Sequence, residues 1–230
     1  MRLLIVRQDK LGDCLLTLPI APAIKKRLPD TQIHVACQAP FLPFFERQKS
    51  ITSAEPTTYR LGIPGILRTA LSWSRQKFDA AILPKEDSGD HTFAARLAGI
   101  PTRIGMTGKG YGKLLTKNFH ASFEPSFHEV RLMLRMAEEA LGVSLEELPA
   151  DLPLSSDDIS LAQAMTEGLG GYFILAPFTG GTSQPWGVEN FRLLGERLSE
   201  ATGLTGLVVG TAAEEEEAER AASFDGGLNA

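Results

Sequence analysis

Asp13 stands where a carboxylate can do chemistry. It follows the apolar run Leu3-Leu4-Ile5-Val6 and the turn Arg7-Gln8-Asp9-Lys10-Leu11-Gly12. It opens a stretch, residues 13–27, in which Leu16, Ile20 and Ile24, continued by Leu28, recur at every fourth position. A short apolar run bounded by turn residues reads as a buried parallel strand, and the fourfold recurrence reads as one face of a helix. Strand, turn and helix N-terminus together place unpaired backbone N–H groups and a positive dipole end at the carboxyl edge of a sheet. Ligands of open parallel sheets bind at that edge. A carboxylate there can cap the helix or act as a base at the mouth of a crevice, and residue type and position support both.

A second candidate is Phe178-Thr179-Gly180-Gly181-Thr182-Ser183, set between an apolar run and an amphipathic one. Small residues let the backbone approach an anion, and the hydroxyls add donors, so the stretch suits a phosphate. It reads equally as an ordinary strand-to-helix loop. No Gly-x-x-x-x-Gly-Lys is followed by Ser or Thr, and Gly108-Lys109-Gly110-Tyr111-Gly112-Lys113 follows no long apolar strand, so neither a P-loop nor a dinucleotide fingerprint is present. Lys109, Lys113 and Lys117 fall four apart, interleaved with Leu114 and Leu115. That row either meets an anionic lipid or a phosphorylated sugar, or is a solvated face. The four histidines lack zinc spacing, and no Gly-x-Ser-x-Gly elbow marks a nucleophilic serine. Cys14 and Cys37 give no metal spacing and read as two reduced core thiols.

The elements that must position these residues follow in order. Residues 32–37 read as a second strand after the break at Pro29-Asp30, and Pro19 and Pro22 should kink the first helix. Residues 38–60 are less regular, with a short aromatic helix over 41–45. A helix over 63–75, a strand over 80–83, a helix over 91–97, a short strand over 103–105 and a helix over 128–141 come next. Strands alternating with helices predict a parallel, doubly wound sheet. Residues 147–158 turn rich in Pro, Ser and Asp and read as an interdomain connection. A new series then starts, with strands over 172–176 and 204–210 and helices over 188–201 and 212–222. Glu214 to Glu217 fall in the first turns of that last helix, facing solvent.

The 230 residues, 43% hydrophobic and 22% charged, fit a soluble globular chain. No apolar run approaches the roughly 20 residues of a membrane span, and no signal-peptide core opens the chain. The expected location is the cytoplasm. A net charge of −5 argues against nucleic acid as a partner.

Taken together, the motifs resemble a known family. Arg2 to Arg7 followed by Leu11-Gly12-Asp13-Cys14-Leu15-Leu16-Thr17-Leu18-Pro19 is similar to the opening of the lipopolysaccharide heptosyltransferases. Ala95-Arg96-Leu97-Ala98-Gly99-Ile100-Pro101-Thr102-Arg103-Ile104-Gly105 and His128-Glu129-Val130 are similar to its middle. Ala176-Pro177-Phe178-Thr179-Gly180-Gly181, then Trp186-Gly187-Val188-Glu189-Asn190-Phe191, resembles the start of its second domain.

The resemblance implies a GT-B-like α/β architecture: a complete N-terminal Rossmann-like domain over residues 1–150 on the acceptor side, a linker over 151–168, and a partial Rossmann-like donor-side domain over 169–230. It implies inverting, metal-independent transfer of heptose from ADP-heptose, or a similar nucleotide-sugar, to a lipopolysaccharide inner-core acceptor, with no cofactor. Asp13 matches the general base, and Lys10 and Gly12 lie on the acceptor side. Thr179, Gly180, Gly181, Thr182 and Gln184 would hold the donor phosphates. Peripheral contact with the inner face of the inner membrane is implied too. Two departures stand out. Gln184 occupies a position where the family usually carries lysine, and the chain ends before the family's Asp-Thr-Gly-x-x-His motif, so that most of the donor pocket is expected to be absent. Those departures also fit another class, a truncated or degenerate relative that binds a glycolipid or partner without turnover.

Overall fold

A computed structural model describes residues 1–85, 88–106, 110–119, 128–149, 152–179 and 184–230. The chain divides into two compact units, Met1–Leu154 and Ser155–Ala230.

In chain order the first unit carries β1 (Arg2–Arg7), α1 (Leu11–Thr17), α2 (Ile20–Arg27), β2 (Gln32–Gln38), α3 (Leu42–Glu46), β3 (Ser53–Thr57), α4 (Gly62–Gln76), β4 (Ala80–Leu83), α5 (Gly89–Leu97), β5 (Thr102–Gly105), β6 (Lys117–Asn118) and α6 (Glu129–Leu141). The strands form one parallel sheet in the order β3-β2-β1-β4-β5-β6. This is the doubly wound order, whose direction reverses between β1 and β4. Buried β1 residues alternate between two cores. Leu3 and Ile5 pack with α1, α2 and α6 on one face, and Leu4 and Val6 pack with α4 and α5 on the other. At the β4–β5 pair the backbones come so close that a Cβ on Gly105 would overlap the Leu83 carbonyl.

Several elements depart from the pattern read in the sequence. The helix expected over 13–27 is two helices. It starts at Leu11, with Lys10 as its extended N-cap residue and no side-chain cap, so Asp13 lies inside the first turn and is not the cap. It then breaks at Leu18-Pro19. Neither Pro19 nor Pro22 has an N–H to donate, which interrupts the hydrogen-bond ladder. The Leu18 carbonyl, which residue 22 would otherwise serve, instead accepts the Gln48 side-chain amide at 2.9 Å. The irregular stretch contains β3, a Ser-Ala-Glu-Pro-Thr strand with no apolar run. It lies at the sheet edge, where a proline is tolerated because half its backbone groups need no partner.

The second unit carries α7 (Ser156–Met165), β7 (Tyr172–Leu175), α8 (Val188–Thr202), β8 (Thr205–Val208), α9 (Glu215–Ala221) and β9 (Gly227–Asn229). Its parallel sheet runs β7-β8-β9. Leu175, Val208, Ala218 and Ala221 form its core with Phe173, Phe191, Leu198 and Phe224 against it. α7 falls in the stretch read as a linker. The Ser and Asp that suggested a connection are a helix-start signal: Ser155 and Asp158 form a capping box, with side chain to backbone bonds of 3.1 and 2.8 Å.

Candidate active site

The carboxyl end of β1 places a charged cluster at the reversal of the first sheet. Arg7, the last residue of β1, is 1% exposed. Its Nη2 lies 2.7 Å from Glu129 Oε1, on the first turn of α6, and 3.4 Å from Asp13 Oδ1. Its Nε donates to the Asp13 carbonyl at 3.2 Å, and its Nη1 reaches Asp9 at 3.8 Å and Met133 Sδ at 3.9 Å. Lys85, just past β4, approaches Asp9 at 3.8 Å, so an acid after one strand faces a base after its neighbour across the switch point. Of the three carboxylates, Asp9 and Glu129 have side chains only 6% and 28% exposed, whereas Asp13 is 39% exposed. Asp13 is therefore the acid most open to an incoming molecule, anchored from behind by a buried guanidinium.

Burial pushes the Asp9 carboxyl above its ordinary value, against the downward pull of Arg7 and Lys85. Among the described residues, one Asp9 oxygen and both polar atoms of the Gln8 side chain are buried without a hydrogen-bond partner. Such groups cost about 1–3 kcal/mol each and in native proteins call for a reason, a functional site being one. Gln38 steadies the turn from β2, donating to the carbonyls of Gln8 and Asp9 at 2.7 and 2.8 Å. α6 begins at His128, whose Nδ1 accepts the Val130 N–H at 3.3 Å, and this fixes the turn that carries Glu129.

Lys10, Gly12 and Asp13 thus share one turn and helix start. A Cβ on Gly12 would meet nothing within 4 Å, so no neighbour in the fold demands glycine there, and its bareness leaves space beside Asp13. Cys14 and Cys37 are buried and free, and burial pushes each thiol up to about 12, which leaves them inert at neutral pH.

In the second unit Thr179 and Gln184 flank the strand-to-helix loop after β7. Gly180, Gly181, Thr182 and Ser183 lie outside the described residues, as do Gly108 and Lys109. Gln184 is exposed. Trp186, 56% exposed, meets the Phe191 ring edge-on at 5.2 Å, and Asn190 donates to its carbonyl at 2.6 Å. These contacts fix the entry to α8. Its cap residue, Gly187, has φ +101° and supplies no side chain, so backbone donors of the first turn remain unmatched by a cap. Among the described residues of the lysine row, Leu115 is buried and Lys117 lies 3.8 Å from Glu139, so these do not extend an apolar-basic face.

Arg7, Asp9, Lys85 and Glu129 were not singled out in the sequence. Lys85 carried a usable signal, since it follows a buried strand as Asp9 does. Glu129 lies within the His128-Glu129-Val130 match, but its meeting with Arg7 depends on the return of α6 across the sheet. Among the described residues no three His, Cys, Asp or Glu side chains are grouped to hold a metal ion, and no helix is long and apolar enough to cross a membrane.

Residues 67–228 match the profile of glycosyltransferase family 9 (heptosyltransferase). No curated protein matches the chain. Among solved structures it is similar to E. coli ADP-heptose lipopolysaccharide heptosyltransferase II, at 19% identity and TM-score 0.73, over 97% of this chain and 68% of that one. It is similar to the glycosyl transferase family 9 protein of Veillonella parvula at 17% identity and TM-score 0.76, over 99% and 68%. A third is E. coli heptosyltransferase WaaC with ADP-2-deoxy-2-fluoro heptose, at 21% identity and TM-score 0.68, over 97% and 73%. These likenesses establish the fold as GT-B-like.

Proposed function

Because the chain belongs to glycosyltransferase family 9, we propose that it transfers heptose from ADP-heptose to a lipopolysaccharide inner-core sugar, with inversion, without a metal ion, and at the cytoplasmic face of the inner membrane. The donor is supported by the similar E. coli enzyme, whose structure holds ADP-2-deoxy-2-fluoro heptose. The observation that supports the roles is the exposed Asp13 carboxylate tied to buried Arg7.

Glycosyl transfer passes through an oxocarbenium-like transition state. As the acceptor oxygen bonds to the anomeric carbon, its proton goes to Asp13. The bond to the diphosphate breaks on the opposite side, and ADP leaves with the electron pair. Attack opposite the leaving group inverts the configuration. The ion pair with Arg7 aims the Asp13 oxygen, so no rotamer search precedes proton transfer. Thr179, the backbone N–H groups of Gly180 and Gly181, the Thr182 hydroxyl and Gln184 meet the charge that builds on the diphosphate. Lys10 and Gly12 border the acceptor.

The test is transfer from ADP-heptose by the whole chain with Asp13→Asn. The expected loss is about 10²–10⁴-fold in kcat with donor binding by calorimetry unchanged. Near-normal turnover removes Asp13 as the base. Gln184 favours a second reading, a binding module without turnover: donor binding by the unaltered chain with no product would select it.

A further inference from the structure

α4 buries one side and leaves an adjacent apolar side bare. With roughly 3.6 residues per turn, Ile66, Ala70 and Trp73 fall together and pack into the core beneath the sheet. Ile63, Leu67 and Leu71, each a turn apart, make the neighbouring row, and they are 77%, 59% and 55% exposed. Arg68 and Arg75 lie on the far side of that row. α5 packs beside α4 and leaves Phe93 and Leu97 exposed as well, next to exposed Arg96. Single exposed leucines are ordinary, but an ordered row along one helix marks a contact surface.

Charge says what covers it. Residues 60–77 hold Arg60, Arg68, Arg75 and Lys77 and no acid, in a chain of net charge −5. None of these four side chains joins an ion pair among the described residues. The nearby acids are engaged elsewhere. Asp90 accepts the Leu61 and Gly62 N–H groups at 2.8 and 3.2 Å, and Glu55 accepts from Trp73 and Gln76 at 2.5 and 3.2 Å. An apolar row edged by free arginines matches the interface of an anionic bilayer: acyl chains meet the row and lipid phosphates meet the guanidinium groups. A second copy fits worse, because a twofold contact would set α4 against α4 and bring like charges together.

We propose that α4 docks the protein on an anionic lipid surface, with Ile63, Leu67 and Leu71 entering the headgroup region and Arg68 and Arg75 pairing with phosphates. The docking surface stands on α4 alone. Its use, presenting the first sheet's crevice to a lipid-borne acceptor, rests on the transferase reading.

The experiment is flotation of the whole chain with vesicles of phosphatidylcholine, alone or mixed with phosphatidylglycerol. The unaltered chain should float with the mixed vesicles and far less with the neutral ones. Ile63→Gln/Leu67→Gln/Leu71→Gln should abolish flotation, and each of Arg68→Gln and Arg75→Gln should weaken it about fivefold. These side chains are exposed, and an unchanged circular dichroism melt confirms that the variants fold. No flotation of the unaltered chain, or flotation indifferent to the triple variant, overturns the proposal. So does a concentration-dependent dimer that the triple variant abolishes while vesicles go unbound. Asp13→Asn should float normally, so a failure of the transferase reading and a failure of docking are read separately.

Discussion

Arg7 and Glu129, 122 residues apart in sequence, meet at 2.7 Å where the end of β1 faces the start of α6. The contact joins the chain's first strand to the last helix of its first unit and holds the guanidinium against Asp13. Removing the cation leaves three carboxylates facing one another, one of them deeply buried. Arg7→Gln should therefore lower the stability of the first unit by about 3 kcal/mol, the range for losing one partner of a buried pair. Urea unfolding followed by circular dichroism measures it. A loss within error would mean that solvent, and not Arg7, compensates the acids.

His91 gives the fold an acid-sensitive point. It is fully buried on α5, its Nε2 lies 2.9 Å from the Thr57 hydroxyl, and burial lowers its pKa from 6.5 to about 4. At neutral pH both folded and unfolded chains carry it uncharged. As the pH falls from 6.5 towards 4 the unfolded chain binds the proton first, so unfolding gains and stability drops. The contribution is about 3 kcal/mol. His91→Gln keeps a hydrogen-bonding side chain but cannot titrate. Its stability difference between neutral pH and pH near 4 should be smaller than that of the unaltered chain by that amount, measured by urea unfolding at both.

Gln184 predicts a gain. A neutral amide offers the leaving diphosphate a weaker bond than an ammonium would, because charge-assisted bonds are roughly twice as strong. On the proposed mechanism, Gln184→Lys should raise kcat about tenfold with little change in KM, since the added charge acts most on the transition state. Steady-state kinetics with ADP-heptose decides it, and an unchanged kcat would place residue 184 away from the phosphates.

How far residues announced this architecture depends on where their information lies. β1 and β4 hold continuous apolar runs and β2 one broken by His34 alone, because both faces of a parallel sheet are covered, and they are legible for that reason. β3 is hidden because an edge strand with Glu55 and Pro56 needs no such run. The prolines at 19 and 22 signalled a disturbance, but its form, two helices with a side-chain amide serving the freed carbonyl, depends on Gln48 arriving from another connection. Asp13 was visible from its place after a strand and turn. Its anchoring was not, since the partners of Arg7 are chosen by the packing of α6. The sequence places a helix over 63–75 without choosing its buried face, and only the depth of Ala70 and Trp73 shows that Ile63, Leu67 and Leu71 are not on it.

The bond from Gln48 to the Leu18 carbonyl makes two distant positions a single inheritance. An alanine at 22 would bring its own N–H to that oxygen and release Gln48 from duty, whereas an exchange at 48 alone strands it. The order in which such changes arrive would thus matter: a lineage could lose the glutamine only after the proline. Because the segment so tethered is the one that bears Asp13, drift in the loop around residue 48 is a route by which variation far from the carboxylate reaches it.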